Sequence, residues 1–437
     1  MELLGHQVRV SPALEYLRER TLHGVKLGLD APRRLLRELG DPQDQYPTLL
    51  VAGTNGKGSV VAYLDAILTA SGLRCGRYTS PHLERVNERI TVAGEEIGDD
   101  ALDAAIEDVR RAAERLLGLG KIEDHPTFFE TLTVAAFHHC ARARTDVVVA
   151  EVGMGGRLDA TNVCTPTASA IVTIGFDHTQ FLGDSLASIA REKAGVLRTG
   201  RPTVIGQLCA EARDAVQDQA RACGARVVEA HAGARIEPPA APGEPAVVVT
   251  PRRTFRGLPA LSGRHQLDNL LVALRLLQEA DGLGWSPAVV PNAIAGARWP
   301  GRLERIEGTP VVILDGAHNL EAAEALAEYL RSLPPAVLVF GAMRDKPIAQ
   351  MLAALVPGTC GVVLTHAPSG RAAEPEAIRR ASATLLGDSV VESDPLQALE
   401  RARAMAGARG IVVVAGSLYL VGAVRGHLVE ESGAARR

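Results

Sequence analysis

Leu49-Leu50-Val51-Ala52-Gly53-Thr54-Asn55-Gly56-Lys57-Gly58-Ser59 decides the fold. An apolar run breaks into a glycine-rich turn, and the turn opens an apolar-periodic helix expected over residues 60–71. This is the layout of a phosphate cradle. A buried strand delivers the turn, glycines at 53, 56 and 58 let the backbone approach a polyphosphate, and the free N–H groups of the helix start point at the anion. Lys57 adds a mobile positive charge for the outer phosphates, and Ser59 offers a hydroxyl to Mg²⁺. The turn departs from the usual G-x-x-x-x-G-K-[ST] form: only Thr54 and Asn55 separate Gly53 from Gly56, and Gly58 stands between Lys57 and Ser59. The blander alternative is a tight glycine turn beside an exposed lysine.

The rest of the chain fits an α/β protein. At 437 residues it is long enough for two or three domains. Hydrophobic residues make up 46% but aromatics only 3%, so the core must rest on Val, Leu, Ile and Ala, as in parallel sheets covered on both faces. A net charge of −4 argues against a nucleic-acid binder with a basic surface. The cysteines at 75, 140, 164, 209, 223 and 360 have no C-x-x-C spacing and read as small core residues of a reducing compartment. Residues 1–10 lack an apolar leader, and the longest apolar stretch, 410–424, is short for a bilayer and contains Ser417. A cytoplasmic protein is expected, with no membrane and no nucleic-acid partner.

Apolar runs alternate with helical periodicity along the chain. Helices are expected at 11–20, 31–39, 99–117, 128–144, 186–197 and 211–223, and strands at 74–78, 146–151, 168–174, 202–205 and 226–228. The stretch 233–245, rich in Ala, Pro and Gly, reads as a surface loop. After an interruption near Arg298-Trp299-Pro300-Gly301-Arg302, five short apolar runs (311–314, 336–340, 361–364, 390–391 and 411–415) each precede a helix-like segment. The expected organisation is therefore a central parallel-sheet domain over 1–297 and a smaller Rossmann-like domain over 298–437.

In an open parallel sheet, ligands collect beyond the carboxyl ends of the strands, and the polar clusters sit there. Glu151 ends an apolar strand: it is a carboxylate paired at the sheet edge, or a Mg²⁺ ligand. His178, in Asp177-His178, is a structural histidine or a metal ligand. Lys193 would by default be an exposed helix lysine. His138-His139-Cys140 resembles a metal cluster, but neighbours at i and i+1 do not face each other on a helix. Asp315, in Leu314-Asp315-Gly316-Ala317-His318-Asn319, is a helix N-terminal charge or a ligand contact. Arg302 is a surface arginine or a phosphate clamp reaching across the cleft, and Asn269 caps its helix or binds ligand.

Together these stretches resemble the folylpolyglutamate synthase and dihydrofolate synthase branch of the Mur ligase family. The signposts are residues 51–59, Thr79-Ser80-Pro81-His82-Leu83, Glu151 through Asn162, Asp177-His178, Glu192-Lys193-Ala194-Gly195 and Asp315 through Asn319. The resemblance implies a P-loop ATP-binding domain and a smaller glutamate-ligase domain that closes over it. On that basis Gly53, Thr54, Asn55, Gly56, Lys57, Gly58, Ser59, Asn269, Arg302 and Asp315 hold ATP. Ser80, Glu151 and His178 serve Mg²⁺, with two ions expected, and Lys193 is carried as a carbamate. Lys57, Lys193 and His318 are the implied catalytic group, and His318 and Ser417 lie near the incoming L-glutamate. Val25, Lys26, Leu27, Thr127, Phe128, Phe129, Leu158, Asp159 and Ala160 match pterin-binding positions. The implied activity is ATP-dependent addition of L-glutamate to a reduced folate and to 7,8-dihydropteroate through an acyl phosphate, by a monomer. Two other readings stand beside it: a ligase of the same family acting on a UDP-muramoyl peptide, and a regulatory protein that binds ATP without catalysis.

Overall fold

A strand covered on both faces buries every residue, and in β1 (Thr48–Ala52) all five are buried, with only Thr48 polar. Leu50 and Ala52 enter one apolar cluster while Leu49 and Val51 enter the opposite one. The computed structural model describes residues 11–21, 26, 28–241 and 243–434. Its first sheet adds β2 (Cys75–Tyr78), β3 (Ile90–Val92), β4 (Glu95–Glu96), β5 (Val147–Glu151), β6 (Ala168–Ile171), β7 (Pro202–Ile205) and β8 (Arg226–Glu229). The order is β4-β3-β2-β5-β1-β6-β7-β8, antiparallel only where β3 meets β2 and β4. β1 lies at the centre, with Val51 beside Glu151 of β5 and Ala170 of β6.

The segment expected as a surface loop departs from expectation. β9 (Arg235–Glu237) falls inside it and pairs antiparallel with β10 (Ala246–Val249), which pairs with β11 (Thr254–Gly257). β9 is three residues long, with only Ile236 partly buried, so its apolar signal is one residue. The second large sheet contains β12 (Glu304–Ile306), β13 (Val311–Leu314), β14 (Ala336–Phe340), β15 (Thr359–Leu364), β16 (Val390–Val391) and β17 (Ile411–Ala415). Its order is β12-β13-β17-β14-β15-β16, with β12 antiparallel and the rest parallel. The five expected strands are present, and β12, polar at Glu304 and Arg305, is the addition. Here too alternate residues serve opposite faces: Leu338 and Phe340 in one cluster, Val337 and Val339 in the other.

The helices follow their caps. Thr127 starts the helix Phe128–Arg142 by accepting from Glu130 N (3.2 Å) while the Glu130 carboxylate accepts from Thr127 N (2.8 Å). His138 on that helix faces Asp108 rather than a metal cluster, with Nε2 3.1 Å from the carboxylate. Ser185 caps the helix Leu186–Lys193 in the same way. The run expected over 410–424 is β17 followed by the helix Leu418–Ala434. Among the described residues no helix is long and apolar enough to cross a membrane.

Because the central strands of each sheet are parallel, their carboxyl ends share one edge, and both edges line a common cavity. Leu50 has no exposed surface and sits in the apolar core cluster. Leu50→Ala is expected to lower stability by about 2–5 kcal/mol, read as a lower urea midpoint for loss of far-UV circular dichroism.

Candidate active site

The cavity holds about 660 Å³, and β1 leads directly into it. Gly53 and Gly56 have φ of 152° and 84°. At Gly56 a Cβ would also lie 2.4 Å from the Asn269 amide oxygen, so the turn admits no side chain there. This left-handed turn lets the helix Lys57–Ala70 begin earlier than expected, which places Lys57 in its first turn. The turn is tied to the chain beyond β6. Thr54 N donates to Thr173 O (2.8 Å), and the Thr173 hydroxyl accepts from Asn55 N (2.9 Å) and donates to Asn55 O (3.0 Å). The Thr54 hydroxyl bridges the carbonyl and N–H of Gly175. With the loop fixed by its own backbone, the N–H groups of the helix start remain for a ligand.

Two ammonium groups meet on one carbonyl. Lys57 Nζ donates to Gly53 O (3.1 Å) and Thr54 O (3.2 Å), and Lys193 Nζ donates to the same Gly53 O (2.9 Å). Lys193 is 4% exposed, so the exposed-lysine reading fails. Burial, reinforced by the Lys57 charge, pulls its ammonium down to about 7. Neither lysine forms an ion pair among the described residues. The nearby Glu151 carboxylate is buried and accepts from Ser80 N (3.1 Å). Burial pushes its pKa up, while Lys57, the Ser80 N–H, Arg302 and Arg89 draw it back. His178 has a left-handed backbone, φ 51°. Burial lowers its imidazole to about 4 against the pull of Asp177, so it is neutral at pH 7 with a nitrogen lone pair to offer.

Ser59, Ser80, Glu151, His178, Lys193 and Asn269 all line this cavity, and from the second sheet so do Arg302, Asp315, His318 and Ser417. The Arg302 guanidinium makes no hydrogen bond to described residues and lies against the Gly316 backbone. Asp315 is not the helix cap. Its carboxylate accepts from Leu303 N and Ala317 N, both 2.9 Å, and holds the bend beside Arg302. The cap of the helix Leu320–Leu330 is Asn319, which accepts from Ala322 N (3.0 Å). His318 Nδ1 donates to Gly316 O (2.7 Å), and its Nε2 lies 3.6 Å from Asp177.

Three contacts between the sheets escaped the sequence reading. Lys346 forms an ion pair with Asp177, both side chains being 9% exposed. Although burial pushes the Asp177 carboxyl up, the facing His318, His178 and Lys346 hold it well below the usual carboxylate range. Asn55 and Asn319 exchange amide hydrogen bonds, Nδ2 to Oδ1 in each direction at 3.2 and 2.9 Å. Glu321 accepts from Phe176 N (3.1 Å). Lys346 follows β14 at the same carboxyl edge as the other site residues, so the strand-end rule could have found it.

The expected pterin positions lie apart from the cavity lining. Thr127 is committed to its helix cap, and the Phe129 ring packs 6.3 Å from Tyr78. The Arg89 guanidinium stacks 5.1 Å from the centroid of Phe128. Asp159 is buried and accepts from Met154 N and Thr161 N. Leu158 is partly buried and Ala160 buried beside it. Lys26 is exposed, 3.8 Å from Asp124, while Val25 and Leu27 lie outside the described residues. Among the described residues, three metal-capable side chains gather only at Glu400, His427 and Glu431, where Arg403 already pairs with both glutamates.

Residues 51–277 match the Mur ligase middle domain, and residues 301–418 match the Mur ligase glutamate ligase domain. A Bacillus subtilis dihydrofolate synthase/folylpolyglutamate synthase is 32% identical over 95% of this chain and 98% of its own length. A Haloferax volcanii relative named "Probable bifunctional folylpolyglutamate synthase/dihydropteroate synthase" is 36% identical over 94% of the chain, which spans only 50% of that relative. The structure of Escherichia coli FolC with DHPP and ADP superposes with a TM-score of 0.85 at 32% identity, covering 98% of this chain and 99% of that one. A Yersinia pestis bifunctional folylpolyglutamate synthase/dihydrofolate synthase with AMPPNP and Mn superposes at 0.84 and 30% identity, over 97% of this chain and all of that one. On matches that run through both sheets and the whole cleft, the chain belongs to the Mur ligase family, in its folylpolyglutamate synthase/dihydrofolate synthase branch.

Proposed function

We infer that this chain is an ATP-dependent ligase that joins L-glutamate to a pterin-linked carboxylate, on reduced folates and on 7,8-dihydropteroate. The observation that carries the reading is the pair of lysine ammoniums on Gly53 O at a helix N-terminus. Positive charge unbalanced in this way calls for a polyanion. Residues 1–297 form the nucleotide-binding part and 298–437 the glutamate-ligase part. Both walls of the cavity come from one chain, so a monomer suffices; six free cysteines fit a reducing cytoplasm.

A carboxylate has no group that an amine can displace, so the acid is activated first. Its oxygen attacks the γ-phosphorus of ATP, the bond to the bridging oxygen breaks, and ADP leaves. The α-amine of glutamate then attacks the acyl phosphate carbon, phosphate departs, and the nitrogen gives up a proton. Two anions meet in the first step. Lys57 and the helix N–H groups take the outer phosphates from one side, and Arg302 takes them from the other. Asn269 and Asp315 complete the nucleotide site, and His318 and Ser417 border the glutamate. The closed cleft keeps water from the acyl phosphate. Phe128 and Phe129, partly buried on the helix that starts at the Thr127 cap, are the pterin-side residues of this reading.

The residues fit a divalent cation. Glu151 spends one hydrogen bond on Ser80 N and keeps acceptor capacity, Ser80 adds a hydroxyl, and neutral His178 adds a nitrogen. When bound, Mg²⁺ neutralises phosphate charge. Lys193 fits a carbamate. With its ammonium near pH 7, part of the side chain is a free amine that can add to CO₂ with loss of a proton. The product is an anion beside Lys57, which replaces a repulsive neighbour with an attractive one.

Purified protein with ATP, Mg²⁺ and L-glutamate is expected to release phosphate only when a pterin carboxylate is present. Oxygen-18 placed in that carboxylate should appear in the phosphate, and release independent of the pterin would overturn the reading. Lys57→Ala is expected to lower kcat by about 10²–10³-fold in the same assay.

Without CO₂, Lys193 carries a charge that folding must bury. Its pKa falls from 10.5 unfolded to about 7 folded, so the unfolded chain binds the extra proton between those values and stability rises with pH across that window. Below pH 7 the full penalty applies, at most about 5 kcal/mol. In CO₂-free buffer Lys193→Met is therefore expected to raise the urea midpoint more at pH 6 than at pH 9. Equal gains at both values would rule out the buried ammonium.

A further inference from the structure

Gly58 is the residue that makes this phosphate loop unusual, and its backbone is not in the left-handed region. What excludes a side chain is Trp299. A Cβ at Gly58 would lie 2.4 Å from Trp299 Cζ2, 2.5 Å from Cε2 and 2.6 Å from Nε1. The indole therefore rests directly on the first turn of the phosphate-binding helix. The Arg77 guanidinium sits 5.5 Å from the centroid of the indole, and its Nη1 donates to Asp65 Oδ2 (3.0 Å) on that same helix. Trp299 is held by Gly58 and by Arg77, both belonging to the first sheet and its helix, and it packs at the edge of the apolar cluster there.

Only Pro300 and Gly301 separate Trp299 from Arg302. Three residue steps span at most about 11 Å, so the seat of the indole limits where the Arg302 guanidinium can reach. The segment is pinned at its far end as well. Gly301 N donates to Glu304 Oε2 (2.8 Å), Gly301 O accepts from Gly316 N (2.8 Å), and Asp315 holds Leu303 N. The chain from 299 to 303 is thus a short strap with one end on the phosphate loop and the other on the second sheet. Arg302 projects from it into the cavity without a hydrogen bond to described residues.

We propose that Trp299 is a positioning residue for phosphoryl transfer. Its contact with Gly58 sets the Arg302 guanidinium against the phosphates and couples nucleotide binding to the strap that joins the two sheets. This rests on the nucleotide reading of the cavity but not on the identity of the acid substrate. The glycine between Lys57 and Ser59 is then a docking surface for the strap.

Fluorescence tests the coupling without any pterin. The chain has two tryptophans, and Trp285, whose Nε1 donates to Leu277 O, does not line the cavity. In Trp285→Phe the remaining emission comes from Trp299, and titration with ADP and Mg²⁺ is expected to change it saturably. Nucleotide binding seen by equilibrium dialysis with no change in that emission would overturn the proposal. Kinetics tests the positioning. Trp299→Leu should lower kcat/KM for ATP by roughly 10–100-fold, with Trp299→Phe recovering most of it. Arg302→Ala, costly alone, should cost less than about 3-fold more in the Trp299→Leu background, because the two act as one unit. Fully additive losses in folded variants would assign Trp299 to stability alone. If no pterin substrate supports turnover, the kinetic arm fails with the proposed function, while the fluorescence arm still decides the coupling.

Discussion

Two ammonium groups bonded to a single backbone oxygen are the constraint around which the cleft is arranged. Lys57 reaches Gly53 O from the first helical turn after the same loop and Lys193 from 140 residues further along the chain than that glycine, and neither has a carboxylate ion-pair partner among the described residues. Such an arrangement is unfavourable, since the buried Lys193 charge is desolvated and the two ammoniums repel each other. It persists because the fold over-determines it. Thr54 and Thr173 fix the turn, the cap at Ser185 and the packing of Ile189 and Ala190 fix the helix that carries Lys193, and β1 is clamped between β5 and β6. The strain is electrostatic, and an anion relieves it.

The second sheet contributes what the first lacks. The cavity corner at Gly53 has lysines and N–H groups on one side only, and a transferring phosphoryl group needs charge on its opposite side as well. Arg302 lines the cavity from the strap, on the side of the second sheet. His318 and Lys346 lie deeper in the second half, both facing Asp177, and Lys346 forms the ion pair. Asp177 therefore has two neighbourhoods, since its own chain places it next to His178 while its carboxylate is occupied by the other sheet. The Asn55 amide has the same double attachment, with its backbone in the phosphate loop and its side chain on the cap of the helix Leu320–Leu330.

How much of this was legible in the sequence follows from the range of each interaction. Strands such as β1, β5, β14 and β17 are nearly unbroken apolar runs because both faces are covered, with Thr48 opening β1 and Glu151 closing β5, so they are plain in sequence. Glycine at 56 is legible too, because a left-handed turn ending in a helix is local. Glycine at 58 is not: its partner is Trp299, and no pattern in residues 53–59 announces an indole from so far along the chain. The burial of Lys193 was hidden for a related reason. Lys193 reads from its neighbours as a surface charge, and only its long-range bond to Gly53 O shows it buried. β9 and β12 were missed because short edge strands with charged residues carry almost no periodic signal. The residues around Thr127 and Asp159 match the family pattern, yet their visible hydrogen bonds are local caps and turns.

The double attachment of Asn55 and Asp177 has a physical consequence for how the cleft works. Contacts that join the two halves are made by Asn55, Asp177 and Lys346, which also line the cavity, so filling the cavity and joining its walls involve these same residues. The Asn55–Asn319 amide pair costs little to break in water, because each amide exchanges one partner for another. The buried Asp177–Lys346 pair is different, since parting it leaves two charges that must be rehydrated. The two halves are thus joined by the buried Asp177–Lys346 pair near His178, by the more exposed Arg425–Glu84 pair (2.7 Å), and by the amide contacts near the phosphate loop. A ligand that adds negative charge at Gly53 strengthens the side of the cleft where the protein alone holds least.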